Sequence, residues 1–322
     1  CVVTCPVNAK KIRDDLSRLY LLLKTNNKVY ASIAPSWITN FPNISSERFI
    51  AALKKLGFAG VSETALGAQE VTAGLNDILS NSQPGIYISS ACPSVVDFIA
   101  KHTPKYKKNI VKLLSPVMAH TLLLQKEFGN DVSVVFFGPC VAKKIESDRY
   151  GNNLNLSLTF QDLSNLLKSH NINFNDFTNE DEKFVPCKAE EGSLYPIVGG
   201  MINTMGINEK ASGIETLSIS GLPHLKYYLD GLDSTKTDRV IFIEALACEG
   251  GCINGPGKTI RSSGLEDRIK IKDTFRSFNK LKTRKSTVPV LEYMKLPKAK
   301  QSYKQPEEKI KNALAKLGKF KP

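Results

Sequence analysis

No stretch of this sequence strings together the eighteen or more apolar residues that a membrane-spanning helix requires. The first residues also lack the basic, then apolar, then small-residue order of a secretory leader. Both absences lead to the expectation of a cytoplasmic protein with no membrane partner. A disulfide framework is disfavoured as well. Seven cysteines, an odd number, in a chain of 322 residues argue for metal ligation or buried thiols instead. No internal repeat is visible. What is present is apolar content of 42%, enough to bury a large core, which at this length is expected as two lobes.

The net charge of +13 invites a nucleic-acid reading, but its distribution argues against one. From Lys280 to Pro322 there are 13 Lys or Arg and 3 Asp or Glu, a balance of 13 − 3 = +10. The excess therefore sits in the tail. With Pro289, Pro297, Pro306 and one short helical stretch, Glu307 to Leu317, this tail reads as a solvated linker or docking arm. No nucleic-acid partner is expected.

Short β-branched runs alternate with amphipathic stretches along the rest of the chain. That pattern predicts an α/β fold of two lobes, each a mostly parallel β-sheet flanked by helices. Strands are expected at Val29 to Ile33, Ile86 to Ile88, Val132 to Phe137 and Val240 to Ile243. Ser45-Ser46 before Glu47 opens a helix to Leu56, and Gly57 stops it. The polar segment Asn171 to Lys183 reads as an irregular connection.

Three of those strands run into cysteine: Ile88 toward Cys92, Phe137 toward Cys140, and Ile243 toward Cys248 and Cys252. Ligands of open α/β sheets bind at the carboxyl ends of strands, so four thiols can converge on one crevice. Four thiolates suit a 4Fe-4S cluster or a structural zinc. Zinc more often draws on close CxxC pairs, whereas these ligands are scattered from Cys92 to Cys252. Four unrelated buried thiols fit less well, because each cysteine lies beside a strand end rather than on an apolar face.

The segments Ser89-Ser90-Ala91-Cys92-Pro93, Gly138-Pro139-Cys140-Val141-Ala142-Lys143-Lys144-Ile145-Glu146 and Glu244-Ala245-Leu246-Ala247-Cys248-Glu249-Gly250-Gly251-Cys252-Ile253-Asn254-Gly255-Pro256-Gly257 resemble, in order, the three cluster-binding motifs of FeFe hydrogenases. Weaker similarity includes Ala34-Pro35-Ser36 and Gly199-Gly200-Met201. The resemblance implies that Cys92, Cys140, Cys248 and Cys252 hold a 4Fe-4S cubane, in the crevice between the lobes. Cys252 would bridge it to a diiron unit carrying CO, cyanide and an azadithiolate. It further implies that Lys143, Ser36, Pro35 and the backbone at Gly250 and Gly251 contact that unit. The substrates would be H2 and protons, with maturation proteins and an electron-transfer or signalling partner.

Cys1-Val2-Val3-Thr4-Cys5-Pro6 is similar to the end of a ferredoxin binding run, which places Cys1 and Cys5 in a further 4Fe-4S module. The expected organisation is then 1–26 as the remnant of that module, 27–279 as the H-cluster domain, and 280–322 as the basic linker toward another domain. Cys187 matches no motif.

The departures from the family pattern matter equally. Ala91 stands where fast members place a proton-passing cysteine, and Leu75 and Ile78 (or Gly74 and Asp77 in a shifted register) stand where they carry a Glu pair. Val111 replaces the relay serine, Gly138 and Leu246 replace two methionines, and Val117 replaces a polar contact. With the usual proton wire missing, the resemblance implies a slow, sensory member, with Glu249 as a candidate for a residual route. A hydrogenase-like scaffold of iron-sulfur assembly, without diiron chemistry, is the alternative.

Overall fold

The computed structural model describes residues 9–150, 154–177, 181–207, 209–232, 237–260, 264–276, 284–291 and Ala315. In chain order these form α1 (Leu16–Thr25), β1 (Val29–Ile33), α2 (Trp37–Asn40), α3 (Ser46–Lys55), β2 (Gly60–Glu63), α4 (Ala65–Ser80), β3 (Gly85–Ile88), α5 (Pro93–His102), α6 (Pro116–Phe128), β4 (Ser133–Gly138), α7 (Ala142–Arg149), β5 (Leu156–Thr159), α8 (Phe160–Ser169), α9 (Gly200–Met205), α10 (Glu209–Ser212), β6 (Ile214–Ser220), α11 (Leu222–Gly231), β7 (Val240–Leu246) and α12 (Gly264–Arg276). Among the described residues no helix is long and apolar enough to cross a membrane.

Two parallel sheets result, as the alternating pattern predicts: one of order β2-β1-β4-β5, the other β3-β7-β6. Parallel neighbours need crossover connections, and the helices between strands supply them. In the first sheet Ile33 lies opposite both Glu63 and Phe137, so three strands end level. Its central strands are covered on both faces, with Val29, Ala31, Ile33, Val134, Val135 and Phe137 fully buried, which is why they read as apolar runs rather than alternating ones. In the second sheet Ile88 lies opposite Ile243, and β6 follows β7 as far as Ser220 and Leu246.

Local signals act where expected. Ser45 caps α3 by accepting a hydrogen bond from Arg48 N, and the helix yields to Gly57 at φ +103°. The segment from Asn171 is irregular apart from a turn of 3-10 helix at Phe174–Asp176. It is nonetheless anchored, because Phe174 stacks on Phe49 and meets Phe41 edge-on; residues 178–180 of it lie outside those described.

Two features tie the lobes together. Helices α4 and α6 cross so closely that a Cβ at Gly67 would lie 2.1 Å from the Pro116 carbonyl oxygen, a contact only glycine permits. Residues 284–291 then run across α4. Arg284 pairs with Glu190 and Glu191, Ser286 and Thr287 donate to the Glu70 carboxylate, and Val288 and Val290 are buried beside Leu113 and Val111. This stretch of the expected linker is therefore packed into the core, while the helix expected over Glu307 to Leu317 falls, Ala315 apart, outside the described residues.

A candidate metal centre between the two sheets

Both sheets point the carboxyl ends of their strands at one open-mouthed cavity, with about 770 Å³ of free space when the solvent at its mouth is included. From the first sheet come Ala34, Pro35 and Ser36 after β1, Thr64 after β2, and Pro139 and Cys140 after β4; from the second come Ser89, Ala91 and Cys92 after β3, with Glu244 and Leu246 of β7 and Cys252 beyond it. The cavity thus occupies the crevice that this class of sheet offers to ligands. Its accessible wall is overwhelmingly apolar, so any charge inside feels little water.

Three of the four motif thiols, Cys92, Cys140 and Cys252, line it, and Cys248 lies close enough to all three to feel their charge. Cys92 precedes Pro93, the first residue of α5. Cys140 is met by the backbone N–H groups of Ala142 and Lys143 at the start of α7. Cys248 and Cys252 flank Gly250 and Gly251, whose positive φ of 74° and 102° turns the chain back toward the cavity. Burial pushes the Cys140 thiol up to about 11 and the Cys248 thiol up to about 12, and Cys252 lies well above the ordinary range; neighbouring motif thiols add to each shift. Thiols that oppose one another's ionisation inside a dry wall need a cation to become thiolates. Among the described residues no three His, Cys, Asp or Glu side chains are arranged to hold a single metal ion. Four thiols are the donor set of a 4Fe-4S cluster.

Ser36 and Lys143 both line the cavity. The Ser36 hydroxyl is buried and has no hydrogen-bond partner among the described residues. An orphaned buried hydroxyl costs about 1–3 kcal/mol, so it fits a bound acceptor. Lys143 Nζ donates to Ser115 Oγ at 2.9 Å and to Glu146 Oε2 at 2.5 Å, which fixes the ammonium at the cavity wall. Pro35 and Ala91 line the wall as apolar surface. These residues fit the diiron unit with anionic ligands that the motifs imply.

Other sequence-derived candidates stand elsewhere. Glu249 is exposed and its side chain packs by Gly221 rather than in the cavity. Gly251 is required by chain packing, since a Cβ there would lie 2.5 Å from the Pro196 carbonyl oxygen, and Gly250 is exposed with φ +74°. Cys187 is exposed. Cys1 and Cys5 lie outside the described residues. At Gly138 the space a side chain would need is filled by Phe136, whose ring carbon would lie 2.4 Å from an added Cβ, and Phe136 itself lines the cavity.

Sequence reasoning gave no role to three wall residues: Glu244, Tyr195 and Thr64. Glu244 was legible only as a motif letter; its burial comes from β7 lying central in its sheet. The Thr64 hydroxyl bonds Ser32, and Ser32 and Ser62 hold the two ring nitrogens of His120 at 2.8 Å each. Burial pushes His120 down to about 3, so it is neutral and joins β1, β2 and α6.

Comparison with known proteins agrees with this geometry. Residues 27–256 match the family described as "Iron only hydrogenase large subunit, C-terminal domain". The chain is 23% identical over 279 residues to iron hydrogenase 1 of Clostridium pasteurianum, covering 71% of this chain and 48% of that protein. It is 21% identical over 275 residues to the periplasmic [Fe] hydrogenase large subunit of Nitratidesulfovibrio vulgaris, covering 70% of this chain and 65% of that one. The chain therefore spans about half to two thirds of the length of these relatives. Its fold superimposes on a variant of the FeFe hydrogenase of Chlamydomonas reinhardtii with a TM-score of 0.65 at 17% identity, covering 85% of this chain and 91% of that structure. A match running from β1 through the last motif cysteine, over the same two sheets, makes this chain a member of the family formed by the C-terminal domain of iron-only hydrogenase large subunits.

Proposed function

We propose that this chain is the H-cluster domain of an FeFe hydrogenase that interconverts H2 with protons and electrons, slowly, in the service of hydrogen sensing. The observation that carries the reading is the gathering of Cys92, Cys140 and Cys252 on one apolar cavity, with Cys248 near enough to interact with all three. Those cysteines would hold a 4Fe-4S cubane, and the cavity beside Cys252 would take a diiron unit bearing CO, cyanide and azadithiolate. When bound, that unit supplies the iron that binds and splits H2. The chain's own residues do the rest: Lys143 and Ser36 offer donors to anionic ligands, and Phe136, Val117 and Leu246 exclude water.

Slowness is supported at the proton-transfer positions. Ala91 has no proton to give, and Leu75 and Val111 are buried aliphatic residues; in the shifted register Gly74 has no side chain and Asp77 is exposed rather than turned to the core. Electrons would leave through further ferredoxin-type clusters involving Cys1 and Cys5 toward an electron-transfer or signalling partner, in the cytoplasm, after loading by maturation proteins.

The test is infrared spectroscopy of matured protein with hydrogen turnover normalised to diiron content. CO and cyanide bands with low turnover, raised modestly in Ala91→Cys, are expected. Absence of those bands after maturation overturns the reading, and parent turnover equal to a fast hydrogenase overturns its sensory part.

A further inference from the structure

Among the described residues that line the cavity, the single carboxylate is Glu244. It stands on central strand β7, buried to 1% exposure, and accepts a hydrogen bond from Met201 N at 3.3 Å, at the start of α9. Its other oxygen accepts from Ser218 Oγ at 3.2 Å. Ser218 belongs to β6, the edge strand of the second sheet, and is half-buried. Beyond it lies Gly199, which like Ser218 is half-buried. Gly199, at φ +80°, presents no side chain toward the Ser218 hydroxyl, and a Cβ built there would lie 3.5 Å from that hydroxyl and 4.0 Å from the amide of exposed Asn203.

We propose that Glu244 and Ser218 form a two-member proton relay between the cavity and solvent at Gly199, doing the work that Ala91, Leu75 and Val111 do not. The inference rests on the hydrogenase reading above. It differs from the Glu249 route suggested by sequence, because Glu249 faces outward.

The chemistry balances as a shuttle. The Glu244 carboxyl O–H breaks as its proton passes to an acceptor in the cavity. In one concerted transfer the carboxylate takes the Ser218 hydroxyl proton while the Ser218 oxygen takes a proton from a hydronium ion on the solvent side, so no alkoxide forms and the water is released neutral. Hydrogen oxidation runs the same steps in reverse, with no net change in either side chain. Burial, offset by the backbone donors and Ser218, pushes the Glu244 carboxyl up to about 7, so both protonation states are accessible near neutrality, as a relay requires. The ionisable neighbour in its field is Tyr195, which burial keeps neutral, its hydroxyl bonded to Thr72. A carboxylate placed only to support α9 would have no need of a partner leading outward.

Two measurements test it. In protein lacking the diiron unit, the infrared carbonyl band of protonated Glu244, identified by its loss in Glu244→Gln, shifts when its proton exchanges with D2O. That exchange is expected to slow in Ser218→Ala and to recover in Ser218→Thr. In matured protein, H2/D2O exchange per diiron unit is expected to fall by about tenfold or more in Glu244→Gln and in Ser218→Ala, with CO and cyanide bands unchanged. Intact bands with unchanged isotope exchange in Glu244→Gln overturn the relay and leave the hydrogenase reading standing. Carboxyl exchange indifferent to Ser218→Ala overturns the Ser218 leg. A parent protein without CO and cyanide bands overturns the hydrogenase reading and the relay with it.

Discussion

Gly74 of α4 and Val290 of the 284–291 segment are in direct contact: a Cβ at Gly74 would lie 2.5 Å from Val290 Cγ2. In the shifted register of the family resemblance, where Gly74 rather than Leu75 takes the place of one acid of a Glu pair, the space beside that position is filled by a valine from the 284–291 segment. Replacing a helical glycine by alanine ordinarily gains up to about 1 kcal/mol, while overpacking a core costs about 1–3 kcal/mol. The clash wins, because Val290 is itself held by the Leu114 N–H donating to its carbonyl at 3.0 Å. Gly74→Ala should lower stability by about 1–2 kcal/mol in urea unfolding, and adding Val290→Ala should recover most of the loss. An additive double variant would show that the contact is not the cause.

The ligand set is tested by removing one thiol at a time. Cys92→Ala, Cys140→Ala, Cys248→Ala and Cys252→Ala should each fail to retain the cubane, whereas Cys187→Ala, on exposed surface, should keep the parent's iron and acid-labile sulfide. Iron lost from the Cys187 variant alone would reassign the centre.

At Lys143, stability and function must be separated. Truncating Lys143 leaves Glu146 buried without its partner, a loss of about 3–5 kcal/mol, and any loss of diiron in Lys143→Ala is confounded by it. Lys143→Ala combined with Glu146→Ala should restore most of the stability. If the ammonium serves the anionic ligands, the double variant should still lose the cyanide bands. Ser36→Ala should behave oppositely, leaving the empty protein as stable as the parent or more so, because a buried orphan hydroxyl has been removed, while shifting the cyanide bands of matured protein. Cyanide bands unmoved in both would sink both roles.

How much of the fold is legible in the sequence depends on which signal each element carries. Strands β1, β3, β4 and β7 show as apolar runs because both faces are covered, and their cysteines show as motif letters. Strands β2, β5 and β6 did not show. Gly60-Val61-Ser62-Glu63 is short and polar, and what makes it a strand is its pairing with β1, a tertiary fact. The same holds for the site. Cysteines at the ends of strands stand out as candidate ligands, but the inward Glu244 and outward Glu249 differ only in their place relative to the end of β7. The orphaned state of Ser36 and the ion pair holding Lys143 likewise exist only once the sheets meet.

The last prediction concerns Glu63, at the carboxyl end of β2. It is buried, its Oε2 accepts from Ala189 N at 2.8 Å, and burial pushes its carboxyl from the ordinary 4.5 up to about 7. A carboxyl raised in the folded state is protonated there while its unfolded counterpart has already ionised. Its contribution is therefore fully present below about pH 4.5 and is lost as pH rises through about 7. One pKa unit corresponds to about 1.4 kcal/mol, so the full loss is on the order of 3 kcal/mol. Glu244 acts in the same direction. His120, pushed down from 6.5 to about 3, acts in the opposite one, losing stability as pH falls below about 6.5. Glu63→Gln keeps an oxygen for the Ala189 N–H and cannot ionise. It should change stability little at about pH 5 and raise it by about 1–3 kcal/mol at about pH 8, reducing the loss of stability between about pH 4.5 and 7 to the part that Glu244 contributes. Urea unfolding of parent and variant across that range decides it: a gain equal at both pH values would mean that Glu63 ionises normally in the folded protein.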